Sequence, residues 1–210
     1  MTFVFQWLRD SLSDQAIENS PEASPMMAKT VTNPKTAPSF TIDPQARIGH
    51  VHLKVADLER ALRFYSGVLG FELTQRYGEG AVFLSAGGYH HHIALNTWES
   101  LGGPPPPRGT TGLYHTAILY PTRAALAAAV RRILAAKIPL EGAADHGVSE
   151  SIYLRDPDDN GVELYCDKPE KVWPRTPDGK LAMTTGRLDL HRLLSEAPPG
   201  TELDSGPPDL

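Results

Sequence analysis

"IGHVHLKVADLERALRFYSGVLG", residues 48–70, contains a change of hydrophobic period that decides the fold. Its first eight residues alternate apolar and polar, as a half-buried strand does. From Asp57 onward, Leu58, Leu62, Tyr65 and Leu69 recur at the spacing of one helix face. Asp57 is placed to cap that helix and Gly70 to end it. Three strand patterns follow, "FELTQRY" (71–77), "AVFLS" (81–85) and "HHIALNTW" (91–98), separated by glycine-rich turns. The same order then returns. "LYHTAILY" (113–120) reads as a strand and "TRAALAAAVRRILAAK" (122–137) as a helix, followed by "IPLEG", "ESIYLRD" and "GVELYCD" as strands. The expectation is an α+β fold of two β-α-β-β-β modules, 47–98 and 112–167, whose sheets together form a cup.

Outside 47–174 the pattern fades. Residues 1–46 are rich in Ser, Pro, Thr and Ala and lack apolar periodicity, which predicts a loose arm in which "FVFQWL" could dock on a surface. Residues 175–210 are expected to be largely irregular, with one short helical pattern, "LDLHRLLSE", before a tail. The linker "ESLGGPPPPRGTTG" (99–112) is stiffened by its prolines.

A net charge of −5 over 210 residues argues against nucleic acid or an anionic membrane surface as partner. The single cysteine, Cys166, rules out an intrachain disulfide framework and a thiolate zinc site. With neither a membrane-length apolar run nor a secretory or mitochondrial leader in view, a cytoplasmic protein is expected.

Side chains alternate across a strand, so parity assigns faces. Val51, Leu53 and Val55 are apolar, which turns His50 and His52 to the other side; Val162 and Leu164 likewise turn Glu163 away from the core. Two imidazoles and a carboxylate on one surface make the ligand set of a facial triad, whose usual occupant is Fe(II). Histidine and glutamate also recur by chance, and the residues alone leave open that these are ordinary half-buried or surface groups. In "GGYHHHIALNTW" (87–98), parity points His90 and His92 toward the cup.

The segment 48–73, together with "GLYHTAI" and "YLRDPDDNGVELYCDKP", resembles the vicinal-oxygen-chelate superfamily, which includes glyoxalase I, bleomycin- and fosfomycin-resistance proteins and extradiol dioxygenases. The likeness covers roughly 47–174 and is greatest to single-domain proteins similar to catechol 2,3-dioxygenases. It implies His50, His115 and Glu163 as metal ligands, with Fe(II) bound or alternatively Mn(II). It implies His91 as the acid/base group near bound oxygen, with His146 and Tyr153 as further catalytic groups. Here parity and resemblance disagree, since resemblance selects His91 over His92; an irregular strand start would reconcile them. His52, His92 and Trp98 are candidates for lining the substrate pocket. Ala94 stands where glyoxalase I relatives commonly carry a metal-binding carboxylate, which disfavours a four-ligand isomerase site. Asp159 departs from the family's usual glycine.

The implied activity is extradiol cleavage of a catechol-type aromatic diol by dioxygen, in a homodimer. The competing expectations are a non-redox transferase or isomerase of the same fold and a metal-free protein that sequesters an aromatic compound.

Overall fold

The computed structural model describes residues 40–201, and the expectations for residues 1–39 and 202–210 lie outside them. The chain divides into two compact units, 1–47 and 48–210. In the described part of the first, the Asp43 carboxylate accepts from the Gln45 amide at 2.8 Å and closes a turn. The second unit holds both modules.

The first module runs β1 (Val51–Lys54), α1 (Leu58–Leu62), β2 (Glu72–Tyr77), β3 (Ala81–Ser85) and β4 (Ile93–Asn96). Asp57 caps α1 by accepting from the Arg60 amide. The helix then widens into a π turn over Arg63–Val68. The wider turn brings Phe64, Tyr65 and Val68 all into the core, each at most 1% exposed. Gly70 ends the turn at φ +86°, in the left-handed region that glycine occupies without strain.

The second module runs β5 (Thr116–Leu119), α2 (Arg123–Ala135), β6 (Leu140–Asp145), β7 (Ser149–Arg155) and β8 (Gly161–Asp167). A two-residue strand, β9 (Gly186–Arg187), and a short helix, α3 (Leu190–Ser195), come after it. β9 pairs antiparallel with β6, and Leu193 and Leu194 of α3 are buried. Residues 186–195 therefore dock on the second module.

The fold is α+β, with two mixed sheets ordered β1-β4-β3-β2 and β5-β8-β7-β6-β9. In each, the first strand of the module runs parallel to the last and forms the outer edge. One hydrophobic core serves both modules, drawing Leu53, Tyr65 and Leu95 from the first and Leu126, Ile133 and Leu164 from the second. The modules are clasped through α1 and the turn before β8. Tyr65 donates its hydroxyl hydrogen to Asp156 at 2.9 Å. Asp158 accepts from the Ala56 amide and pairs with Arg60. Asp159 takes φ +65°, a left-handed turn that glycine would occupy more cheaply.

Candidate active site

The polar groups gather in two places. On the first sheet, parity holds along β1: Leu53 and Val55 are buried while His50, His52 and Lys54 are exposed. The His50 ring lies 4.4 Å from that of His91, and His91 lies 5.0 Å from Phe83. His52 approaches Phe83 at 6.4 Å and meets the edge of Trp98 at 5.5 Å. Trp98 covers Gly80 so closely that a Cβ there would fall 2.9 Å from its ring.

The chain is irregular through Tyr89–His92, and β4 begins only at Ile93. That irregular start lets the His91 ring reach His50 although it lies one residue out of phase. His92 turns instead to Ser85, with its Nδ1 3.2 Å from the hydroxyl, and packs on Tyr89. His90 and His91 face each other through Nδ1 atoms 2.7 Å apart, a contact in which one ring must carry the proton and the other accept it. Burial, then the charge of His50, holds the His52 imidazole below the ordinary histidine range. Burial, then the surrounding histidines, does the same to His91. Neutral imidazoles are the form that accepts protons or binds metals.

On the second sheet the groups form a chain. Tyr153 of β7 stands opposite Glu163 of β8 in the ladder, and His115 immediately precedes β5. His115 Nε2 lies 2.9 Å from Glu163 Oε2. Tyr153 donates toward Glu163 Oε1 at 3.2 Å and meets His146 Nε2 at 2.8 Å. His146 Nδ1 lies 3.1 Å from the Thr184 carbonyl, which can only accept, so Nδ1 carries a proton. Nε2 of a neutral His146 then accepts from Tyr153; protonated, it donates and leaves the phenol free to bond Glu163. Burial, reinforced by the Glu163 carboxylate, pushes the Tyr153 phenol up. Gly161 lets β8 pass against β5, since a Cβ would lie 2.1 Å from the Tyr114 carbonyl oxygen. A depression of about 360 Å³ opens beside Tyr114, His115 and Tyr153.

A divalent ion suits the second cluster, where Nε2 and Oε2 converge and the shared proton would leave on binding. His115 Nδ1 is buried without a hydrogen-bond partner. His50, however, is not brought to this pair. Among the described residues no group of three His, Cys, Asp or Glu side chains is arranged to hold a metal.

Sequence reasoning overlooked two participants. Phe83 could have been found, because Val82 and Leu84 are core residues and parity sends Phe83 to the histidine face. The Thr184 carbonyl carried no side-chain signal.

The model of the Glyoxalase/Bleomycin resistance protein/Dioxygenase superfamily matches residues 47–164, more than half of the chain. The chain belongs to this superfamily. Its relatives include a catechol-2,3-dioxygenase of Bacillus subtilis, 40% identical over 157 residues, which cover 75% of this chain and 54% of that protein. A biphenyl-2,3-diol 1,2-dioxygenase of Rhodococcus globerulus is 33% identical over 128 residues, covering 61% and 66%. The chain thus spans about half the length of the first relative and just under two thirds of the second. A glyoxalase/dioxygenase structure from Nostoc punctiforme, 20% identical, aligns with TM-score 0.50 over 66% of this chain and 99% of that one. At that identity it shows the superfamily fold alone. Among the described residues no helix is long and apolar enough to cross a membrane.

Proposed function

We propose that this superfamily member is an Fe(II)-dependent extradiol dioxygenase that opens a catechol-type aromatic diol beside its hydroxyls. The observation that carries the reading is the chain His115–Glu163–Tyr153–His146, in which two metal-donor groups adjoin two proton-carrying groups. The diol dioxygenases among its relatives support it.

His115 and Glu163 would supply two ligands of the ion, and His50, which lies apart from them on the first sheet, would have to be brought to that pair to supply the third. The metal would supply Lewis acidity toward the diol and a route for electrons from the ring to dioxygen. Both oxygen atoms enter the product, so the reaction needs no external reductant. His91, whose imidazole burial and then its histidine neighbours hold below the ordinary range, accepts a diol proton and returns it to the ring-opened product. Tyr153 donates a hydrogen bond to a diol oxygen. His146, with Nδ1 engaged by Thr184, supplies or withdraws the proton behind that phenol through Nε2. His52 and Trp98 wall the ring site on the first sheet. His92, bonded to Ser85, supports the turn that carries His91.

The test is oxygen uptake by iron-reconstituted protein over a panel of substituted catechols, with metal-free protein as control. Iron-dependent uptake with a yellow ring-opened product is expected. Tight metal binding without uptake for any diol would move the reading to a non-redox enzyme of the same fold.

A further inference from the structure

We infer that Trp98, seated on Gly80, is a specificity-determining wall: it receives an uncharged apolar or aromatic substituent of the diol, and Gly80 fixes where the indole stands. The inference rests on the dioxygenase reading for the diol that carries this substituent. Three observations carry it.

The first is the seat. Gly80 immediately precedes β3, and its φ lies outside the left-handed region, so the backbone does not call for a glycine here. A Cβ at this position would meet one group, the Trp98 indole, with Cδ1 and Nε1 each 2.9 Å away. The missing side chain is therefore what lets the ring lie against the chain. Neighbouring backbone holds the two together. The Thr97 amide donates to the Gly80 carbonyl at 3.0 Å, and the Trp98 amide donates to Asn96 Oδ1 at 3.2 Å.

The second is a row of rings. Trp98 meets His52 at 5.5 Å, His52 approaches Phe83 at 6.4 Å, and Phe83 lies 5.0 Å from His91. The row has the proposed base at one end and a large indole at the other. A diol whose proton goes to His91 extends its ring substituent along Phe83 and His52 toward Trp98.

The third is exposure and charge. Trp98 is 60% exposed although it packs on His52 and Gly80, which leaves indole surface for a ligand. Lys54, on the same face of β1 as His52, pairs with Glu99 at 3.6 Å. The pair leaves no net charge beside the indole to attract an ionic substituent. An apolar group sheds water against the ring, whereas an ionic one would lose its hydration without a partner.

The experiment is anaerobic calorimetry on the full, iron-loaded chain, which reads diol binding without turnover. The probes are catechol, methylcatechol, phenylcatechol and a carboxylate-bearing catechol. The wild type is expected to bind phenylcatechol roughly 3–10-fold more tightly than catechol, the weight of one aromatic contact. The carboxylate-bearing diol is expected to gain nothing over catechol. Trp98→Ala removes the preference for phenylcatechol. Gly80→Ala displaces the indole and lowers that preference, but has no effect on it in the Trp98→Ala background, where its Cβ meets nothing. A glycine needed only for the fold would act alike in both backgrounds. Circular dichroism checks folding, and Trp98→Ala, at an exposed ring, decides the matter by itself where Gly80→Ala does not fold.

A preference that survives Trp98→Ala, an equal Gly80→Ala effect in both backgrounds, or tighter binding of the carboxylate-bearing diol overturns the wall. The expected binding pattern without oxygen uptake in air keeps the wall and retires the dioxygenase reading. A wild type that binds no diol overturns both.

Discussion

Among the described residues, the histidine cluster of module one has no carboxylate among its ring and hydrogen-bond partners, whereas module two presents an imidazole bonded to a carboxylate, with a phenol and another imidazole behind it. Both have the same strand order and place these groups near the parallel strand pair. Their differences lie in what surrounds that pair. In the first, the irregular Tyr89–His92 segment sets His91 among other histidine rings, where burial and then their charges hold its imidazole below the ordinary range. In the second, the ladder itself sets Tyr153 opposite Glu163, and the segment leading to β9 brings the Thr184 carbonyl to His146. A duplicated scaffold thus carries two different polar clusters, imidazoles stacked on one sheet and a hydrogen-bonded imidazole–carboxylate–phenol chain on the other.

The sharpest way to break this comparison is Glu163→Gln. It removes the carboxylate, and metal content and turnover are expected to fall together. The loss should exceed the ~10–100-fold typical of residues that merely support a ligand. His91→Ala should separate the halves: the metal stays while kcat falls by ~10²–10⁴-fold, the range of a positioned acid/base group. Metal loss in that variant would refute the assignment of His91 as base.

Tyr153→Phe keeps the ring and removes the proton between His146 and Glu163. A loss of roughly 10-fold in kcat with little change in metal content is expected from steady-state rates and metal analysis.

The smallest effect concerns Asp145, whose carboxyl is held low chiefly by Lys168 beside it. A carboxylate with a lowered folded pKa stabilises the fold above its unfolded value, near 4, and that stability is lost as pH falls through the folded value. The pair is partly exposed, so about 0.2–1 kcal/mol is at stake. Lys168→Met should reduce the acid-side fall in unfolding free energy, measured by denaturant titration between about pH 2 and 5.

Much of the fold and part of the site were legible in the sequence. Alternation along 48–55 assigned His50 and His52 to the open side of β1, and Asp57 caps α1 as its position implied. Other features were not readable. The π turn at Arg63–Val68 keeps the apolar spacing of an ordinary helix, so the sequence pattern does not distinguish them. β9 is two residues long, too short for alternation to register. The choice between His91 and His92 depends on backbone irregularity, which parity cannot count across.

The sequence by itself determined the two modules, their helix and strand order and the kinds of side chain available for chemistry. Those depend on hydrophobic period and turn residues, which act over a few neighbouring positions. Only the tertiary structure decided which groups meet. The pairing of His115 with Glu163 spans two strands brought together by a crossover through α2. Among the described residues His50 is not gathered with that pair, and the modules are held to each other by the buried clasp between α1 and the Asp156–Asp158 turn. Such contacts join residues about a hundred positions apart and are set by the joint burial of two module cores, which no local pattern encodes.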